Sequence, residues 1–126
     1  MNRFLKIKAC GDYELVSEIK GITSLALTTI SRNMDLEDEY YILFNGERET
    51  LCKANVIATW LRGAVNSKQI IYGDVIVVKK LNRNGIKKAE LGGLIDKDIK
   101  ELQLVIAEDK NLAAKVVSEM IQLKGV

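Results

Sequence analysis

Five cations crowd one short stretch of this chain. Lys79, Lys80, Arg83, Lys87 and Lys88 fall between positions 79 and 89, a window with no acid. The formal net charge is +2, so the remainder carries −3. Positive charge gathered in this way is an electrostatic footprint for a polyanion, because every phosphate neutralised releases counterions. Asn82-Arg83-Asn84-Gly85 lies inside the window. Asn-Gly is a strong hairpin signal, since a type I′ turn needs positive φ at both central residues. The cations therefore flank the tip of a two-stranded ribbon, whose width suits a nucleic-acid groove. An edge hairpin kept soluble by lysines has the same pattern.

Other chemistry is poorly supplied. The chain has no histidine, which removes Ser-His and Cys-His nucleophile pairs and the usual zinc spacings. Asp96-Lys97-Asp98 lacks the glycine and distal glutamate of a calcium loop, and Gly92-Gly93 lacks the Lys-Ser/Thr of a phosphate-cradling loop. No catalytic residue, metal or cofactor is expected. Cys10 and Cys52, 42 positions apart, read as reduced, small core residues. With 48% hydrophobic residues in 126, the chain is long enough for one cored domain. No long apolar run or cleavage signal is evident, so a cytoplasmic protein without membrane contact is expected.

The elements that must hold the basic ribbon are read from periodicity. Phe4 to Cys10 alternates, with Leu5, Ile7 and Ala9 on one face and Lys6 and Lys8 on the other: a strand. Asp12 to Met34 places Leu15, Ile19, Ile22, Ala26 and Ile30 at helical intervals, predicting an amphipathic helix capped by Asp12. Gly21 leaves two versions open, one long helix or a short turn followed by a helix capped by Thr23 or Ser24. Asn33 to Glu39 is an acidic connection, and Tyr40 to Phe44 reads as a strand buried on both faces. Asn45-Gly46 stops it. Thr50 to Val65 predicts a helix with a wide apolar face. Gln69 to Leu81 is β-rich, with a bend at Gly73-Asp74, and Ile86 onward runs back antiparallel to it. Ile99 to Ala107 reads as a strand with Leu102, Leu104 and Ile106 on one face. Asp109 to Leu123 reads as a terminal helix capped by Asp109. Its apolar face either finishes the core or meets a protein partner.

Several of these residues resemble the Alba superfamily of small nucleic-acid-binding proteins, and within it the stage V sporulation protein S branch. Leu5-Lys6-Ile7-Lys8-Ala9 is similar to that branch's first strand. Gly46 followed by Lys53-Ala54 and Ile57-Ala58 resembles its glycine, Lys-Ala and Ile-Ala spacing. Lys20-Gly21-Ile22, leading into Leu25-Ala26-Leu27, looks like the entry to the first Alba helix, with glycine in place of proline. The resemblance implies an α/β fold of order β-α-β-α-β-β. It would be a two-layer sandwich with a mixed four-stranded sheet, helices on one face, a long hairpin between the last two strands and an extra C-terminal helix. Residues 1–108 would form the Alba-like domain, with helix 109–126 packed on it.

The resemblance further implies a homodimer that binds DNA or RNA without catalysis. Carried over to this chain, the nucleic-acid contacts fall on Lys20, on Arg48 near the glycine corner, and on Lys79, Lys80, Arg83, Lys87 and Lys88. Asn45, Glu47 and Glu49 make the corner far less basic than the archaeal pattern. A non-catalytic regulatory or interaction module on the same fold is the alternative.

Overall fold

Two short strands and a glycine turn open the fold. The computed structural model describes residues 3–20, 25–30, 39–45, 53–63, 70–81 and 90–124. Strand β1 (Phe4–Ile7) pairs antiparallel with β2 (Tyr13–Val16), Leu5 facing Leu15 and Ile7 facing Tyr13. Between them Gly11 N–H donates to the Lys8 carbonyl at 2.9 Å and Lys8 N–H to the Asp12 carbonyl at 2.8 Å. Gly11 has φ +100°, and a Cβ there would touch nothing within 4 Å. This is a three-residue hairpin loop in which glycine is needed for its backbone angle and not for space.

The other elements are β3 (Leu25–Thr29), β4 (Tyr40–Asn45), α1 (Val56–Leu61), β5 (Val75–Leu81), β6 (Glu90–Gly92) and α2 (Asp96–Lys124). The strands form one sheet in the order β2-β1-β5-β4-β3, and β6 pairs with β5 off that path. Every strand pair is antiparallel. Since β4 occupies one edge of β5, β1 and β6 share the other, at Val75–Val77 and Lys79–Leu81 respectively. The Leu94 N–H donates to the Arg3 carbonyl at 2.7 Å, joining the segment after β6 to the start of β1.

Both helices pack on one face of this sheet. Leu5, Ile7, Tyr40, Ile42, Val75 and Val77 meet Ile57, Ala58 and Leu61 of α1 and Ile99, Leu102, Val105, Ile106 and Ala113 of α2 in one core. A fully buried aliphatic side chain of this kind contributes about 1.5–3 kcal/mol. A smaller cluster of Phe4, Leu43, Ile76 and Val78 lies on the opposite face.

Asn55 sets the start of α1. Its Oδ1 accepts from Ala58 N–H at 3.0 Å, while its Nδ2 donates to the Ile7 and Gly73 carbonyls at 3.0 and 2.9 Å. Asn55 is fully buried, and this hub ties α1 to β1 and to the approach to β5. Thr59 completes it, donating its hydroxyl to the Asn55 carbonyl and accepting from Ile71 N–H.

The two-layer α/β arrangement, the strand at Tyr40 to Phe44, the bend at Gly73-Asp74 and the antiparallel return after the Asn-Gly segment agree with the sequence reading. Other expectations are corrected. The sheet is antiparallel and six-stranded among the described residues, not mixed and four-stranded, and the element order differs from β-α-β-α-β-β.

The expected helix from Asp12 to Met34 is replaced, over its described residues, by β2 and β3. The turn at Gly11 sends Tyr13 to Val16 back along β1, and pairing with β4 claims Leu25 to Thr29. The expected strand at Ile99 to Ala107 is helical, because the side chains that bury are Ile99, Leu102, Val105 and Ile106, while Leu104 stays 52% exposed. Asp109 is thus inside α2 and not its cap, and the boundary at 108 falls within a helix. The middle helix begins at Val56 and not at Thr50, since Lys53 and Ala54 precede the Asn55 cap and Ala54 bridges to Tyr72. Cys10 is exposed in the hairpin loop and is not a core residue, while Cys52 lies outside the described residues.

Candidate nucleic-acid interface

Alternation along β5 decides what its two lysines can do. Val75, Val77 and Lys79 point toward the helices, and Ile76, Val78 and Lys80 toward the other face. Lys79 therefore runs into the core side of the sheet. Its Nζ lies 3.2 Å from Asp98 Oδ2, with the two side chains 13% and 2% exposed. Asp98 Oδ1 accepts from the Tyr40 hydroxyl at 2.5 Å, and Oδ2 also accepts from Ile95 N–H at 2.9 Å. Asp98 is the third residue of α2, so its bond to the preceding amide is one half of a capping box. A buried carboxylate needs a counter-charge and filled lone pairs, and Lys79 and Tyr40 supply them. The ammonium of Lys79 is committed to holding α2 on β4 and β5.

Lys80 emerges on the opposite face. Its Nζ is 2.9 Å from Glu39 Oε2 and 5.7 Å from the centre of the Tyr41 ring. The hydrogen bond to Glu39 and then that to Tyr41 raise its pKa above the ordinary lysine value. Lys20 is exposed and pairs with Glu18 at 2.8 Å. It lines a shallow hollow of about 350 Å³ with Lys6 and Ile76, on the same face as Lys80. Lys6 is in turn 3.8 Å from Asp74 and 4.0 Å from Glu14. Each described cation on this face is thus matched by an acid.

Arg48, Arg83, Lys87 and Lys88 lie outside the described residues. Chain order alone puts Arg83, Lys87 and Lys88 in the eight-residue connection between Leu81 of β5 and Glu90 of β6. The structure therefore brings Lys20, Lys6 and Lys80 onto one sheet face and separates Lys79 from them.

The sequence reading missed the Tyr40–Asp98–Lys79 cluster, having taken Asp98 only as part of an incomplete calcium loop. A signal was present: two aspartates, Asp96 and Asp98, stand just ahead of apolar residues at helical spacing, as helix starts require. The cluster combines a phenol, a carboxylate and an amine, yet it is closed over and serves the fold. Arg62, at the end of α1, is a further buried cation, whose pKa burial lowers.

Among the described residues no group of three or more Cys, Asp or Glu side chains is arranged to hold a metal ion. No helix among them is long and apolar enough to cross a membrane. The terminal stretch expected either to finish the core or to meet a partner buries Ala113 and Val117 completely, and Asp109 accepts from the Trp60 indole N–H at 2.9 Å. That face is used within the chain, while Leu112 and Ile121 remain exposed. Comparison of the chain with protein-family models, with curated proteins and with solved structures returns no match.

Proposed function

We propose that the protein binds nucleic acid without catalysis, through phosphate contacts made by the basic end of the β5–β6 hairpin. The observation that carries this reading is the antiparallel pairing of Lys79 with Gly92, Lys80 with Leu91 and Leu81 with Glu90. It makes a ribbon of the two segments that bracket Arg83, Lys87 and Lys88. The side-chain geometry narrows the reading. Lys79 serves Asp98 and Lys80 is matched by Glu39, so three of the five cations in the window are left to meet phosphates. Lys20, paired with Glu18 on the sheet face, is not assigned a contact.

Counting phosphates tests this. Binding to duplex DNA loses affinity with salt at a logarithmic slope of about −0.9 per phosphate neutralised, so three contacts per chain give roughly −2.7. The expected result is a slope near that figure for a fluorescent duplex, with binding abolished by the triple substitution of Arg83, Lys87 and Lys88 with Glu. Unchanged affinity in that variant would remove the hairpin from the mechanism. A slope near −4.5, for five contacts, would mean that Lys79 and Lys80 give up their acids on binding.

A further inference from the structure

The Asp98 carboxylate touches both ends of the arm that β5 and β6 build. The departing chain leaves the body of the sheet at Lys79, which pairs on one side with Tyr40, the first residue of β4, and on the other with Gly92, the last of β6. The Lys80 N–H still donates to the Glu39 carbonyl at 2.9 Å. Leu81 has β6 alone as a partner among the described strands. The chain returns through Gly92, Gly93 and Leu94 to Ile95, one residue ahead of α2. Leu94 N–H, bonded to the Arg3 carbonyl at 2.7 Å, fastens the returning chain to the start of β1. Asp98 joins it to the departing one. Its Oδ2 accepts from Lys79 Nζ at 3.2 Å and from Ile95 N–H at 2.9 Å. Such a tie is needed, because the ladder of the arm has only three residue pairs and an isolated two-stranded ribbon is marginal in water. Side-chain contacts across the strands normally steady a ribbon. At the basal pair, however, Lys79 faces Gly92, which has no side chain, and Gly93 follows with the same backbone freedom. Lys79 reaches past both to Asp98.

We propose that Asp98 is a positioning residue for the basic arm: its carboxylate closes the base of the arm and fixes the direction in which the cations are presented. The inference rests on the phosphate-binding role proposed for the hairpin. It adds that a buried group, touching no phosphate, sets how tightly the arm binds. An arm free to swing about Gly92-Gly93 has to be ordered on binding, and ordering the backbone of one residue is equivalent to about a tenfold change in affinity. Tyr40 donates to the other oxygen of the same carboxylate from β4, so its bond does not cross the base of the arm.

Two variants separate positioning from general stability. Lys79→Met combined with Asp98→Asn breaks the bond across the base, leaves no buried charge and keeps a side-chain oxygen for Ile95 N–H. Tyr40→Phe removes a bond to the same carboxylate that does not cross the base. Hydrogen exchange reads the amides of Glu90 and Gly92 for the arm and those of Phe4–Ile7 for the rest of the sheet, and a fluorescent DNA duplex in a salt series reads affinity. In the parent protein the Glu90 and Gly92 amides should be protected, and free exchange there overturns the proposal without any variant. The double variant should show faster exchange confined to those two amides, and affinity about tenfold weaker at an unchanged salt slope of roughly −2.7. Tyr40→Phe should bind as the parent does. Exchange that rises equally in β1 and β6, or affinity in the double variant equal to the parent's, overturns the proposal. So does a salt slope smaller by about 0.9, because Lys79 would then touch a phosphate. A parent protein that binds no duplex removes the phosphate-binding role instead; exchange at Glu90 and Gly92 then decides the closure by Asp98, and unchanged rates in the double variant overturn it.

Discussion

Adjacent lysines in β5 should respond to the same substitution in opposite ways. Lys79→Met leaves Asp98, 2% exposed, without its counter-charge against Tyr40 and the start of α2. Removing one partner of a buried ion pair costs about 3–5 kcal/mol, because the other charge stays desolvated. Unfolding entropy near 2.1 cal/mol/K per residue gives roughly 0.26 kcal/mol/K for this chain, so the melting temperature should fall by roughly 10–20 °C. Lys80→Met breaks an exposed contact to Glu39 and should move it by a few degrees at most.

Thermal melts followed by circular dichroism at neutral pH give both numbers. A double-mutant cycle with Asp98→Asn isolates the pair, and the double variant should be more stable than the summed single losses by on the order of 2 kcal/mol. Equal shifts for Lys79→Met and Lys80→Met would refute the assignment. So would a Lys79→Met variant that melts normally and loses nucleic-acid binding, since Lys79 would then be a phosphate contact and not a core residue.

Two further outcomes are expected. Arg3 holds the Asp96 carboxyl below its ordinary pKa, by a 2.6 Å hydrogen bond first and by charge second. A depressed carboxylate contributes stability above its unfolded pKa and loses it as pH falls through the folded one. The melting difference between Arg3→Ala and the parent protein should therefore be constant near neutrality and shrink as pH falls below about 4, and a gap that does not shrink on acidification would refute the pairing. Leu102→Ala should cost about 2–5 kcal/mol and Leu104→Ala under about 0.5, read by denaturant titration. Equal losses for the two leucines would restore a strand at Ile99 to Ala107, which puts both on one face.

That last pair shows why part of the fold was readable and part was not. Ile99 to Ala107 contains both periods: Leu102, Leu104 and Ile106 alternate, while Ile99, Leu102, Val105 and Ile106 keep to one helical face. Only the first-turn aspartates separate the two. Asp12 to Ile30 failed for another reason. An edge strand exposed on both faces, as β2 is at Tyr13 to Leu15, has no inside and outside for alternation to record. The apolar residues at four-residue intervals then imitate a helix. The Cys10-Gly11-Asp12 turn between two short β-compatible runs is the better guide. At Tyr40 to Phe44 an unbroken aromatic and β-branched run, and in Gln69 to Leu81 a β-rich run ahead of a turn signal, were enough to read β4 and the antiparallel return from β5 to β6. For the candidate interface, the basic window was visible in the sequence. What could not be seen was that Lys79 turns inward, because this depends on the register of β5 against β4 and on an aspartate 19 residues further on.

The pairing of β1 with β5 also governs the order in which the chain can assemble. Leu5 faces Val77, 72 residues away, whereas it faces Leu15 across a loop only a few residues long. Closing the longer span costs about 4 kcal/mol of chain entropy, beyond a constant, before any contact offsets it. As the chain leaves the ribosome, β1 can pair with β2 at once but must wait for β5, and the core face of this hairpin stays uncovered until then. Lys6 and Lys8, with Glu14 across from them, keep the waiting hairpin charged on its other side. Until β5 is made, this segment is amphiphilic, apolar at Leu5 and Ile7 on one side and charged at Lys6 and Glu14 on the other.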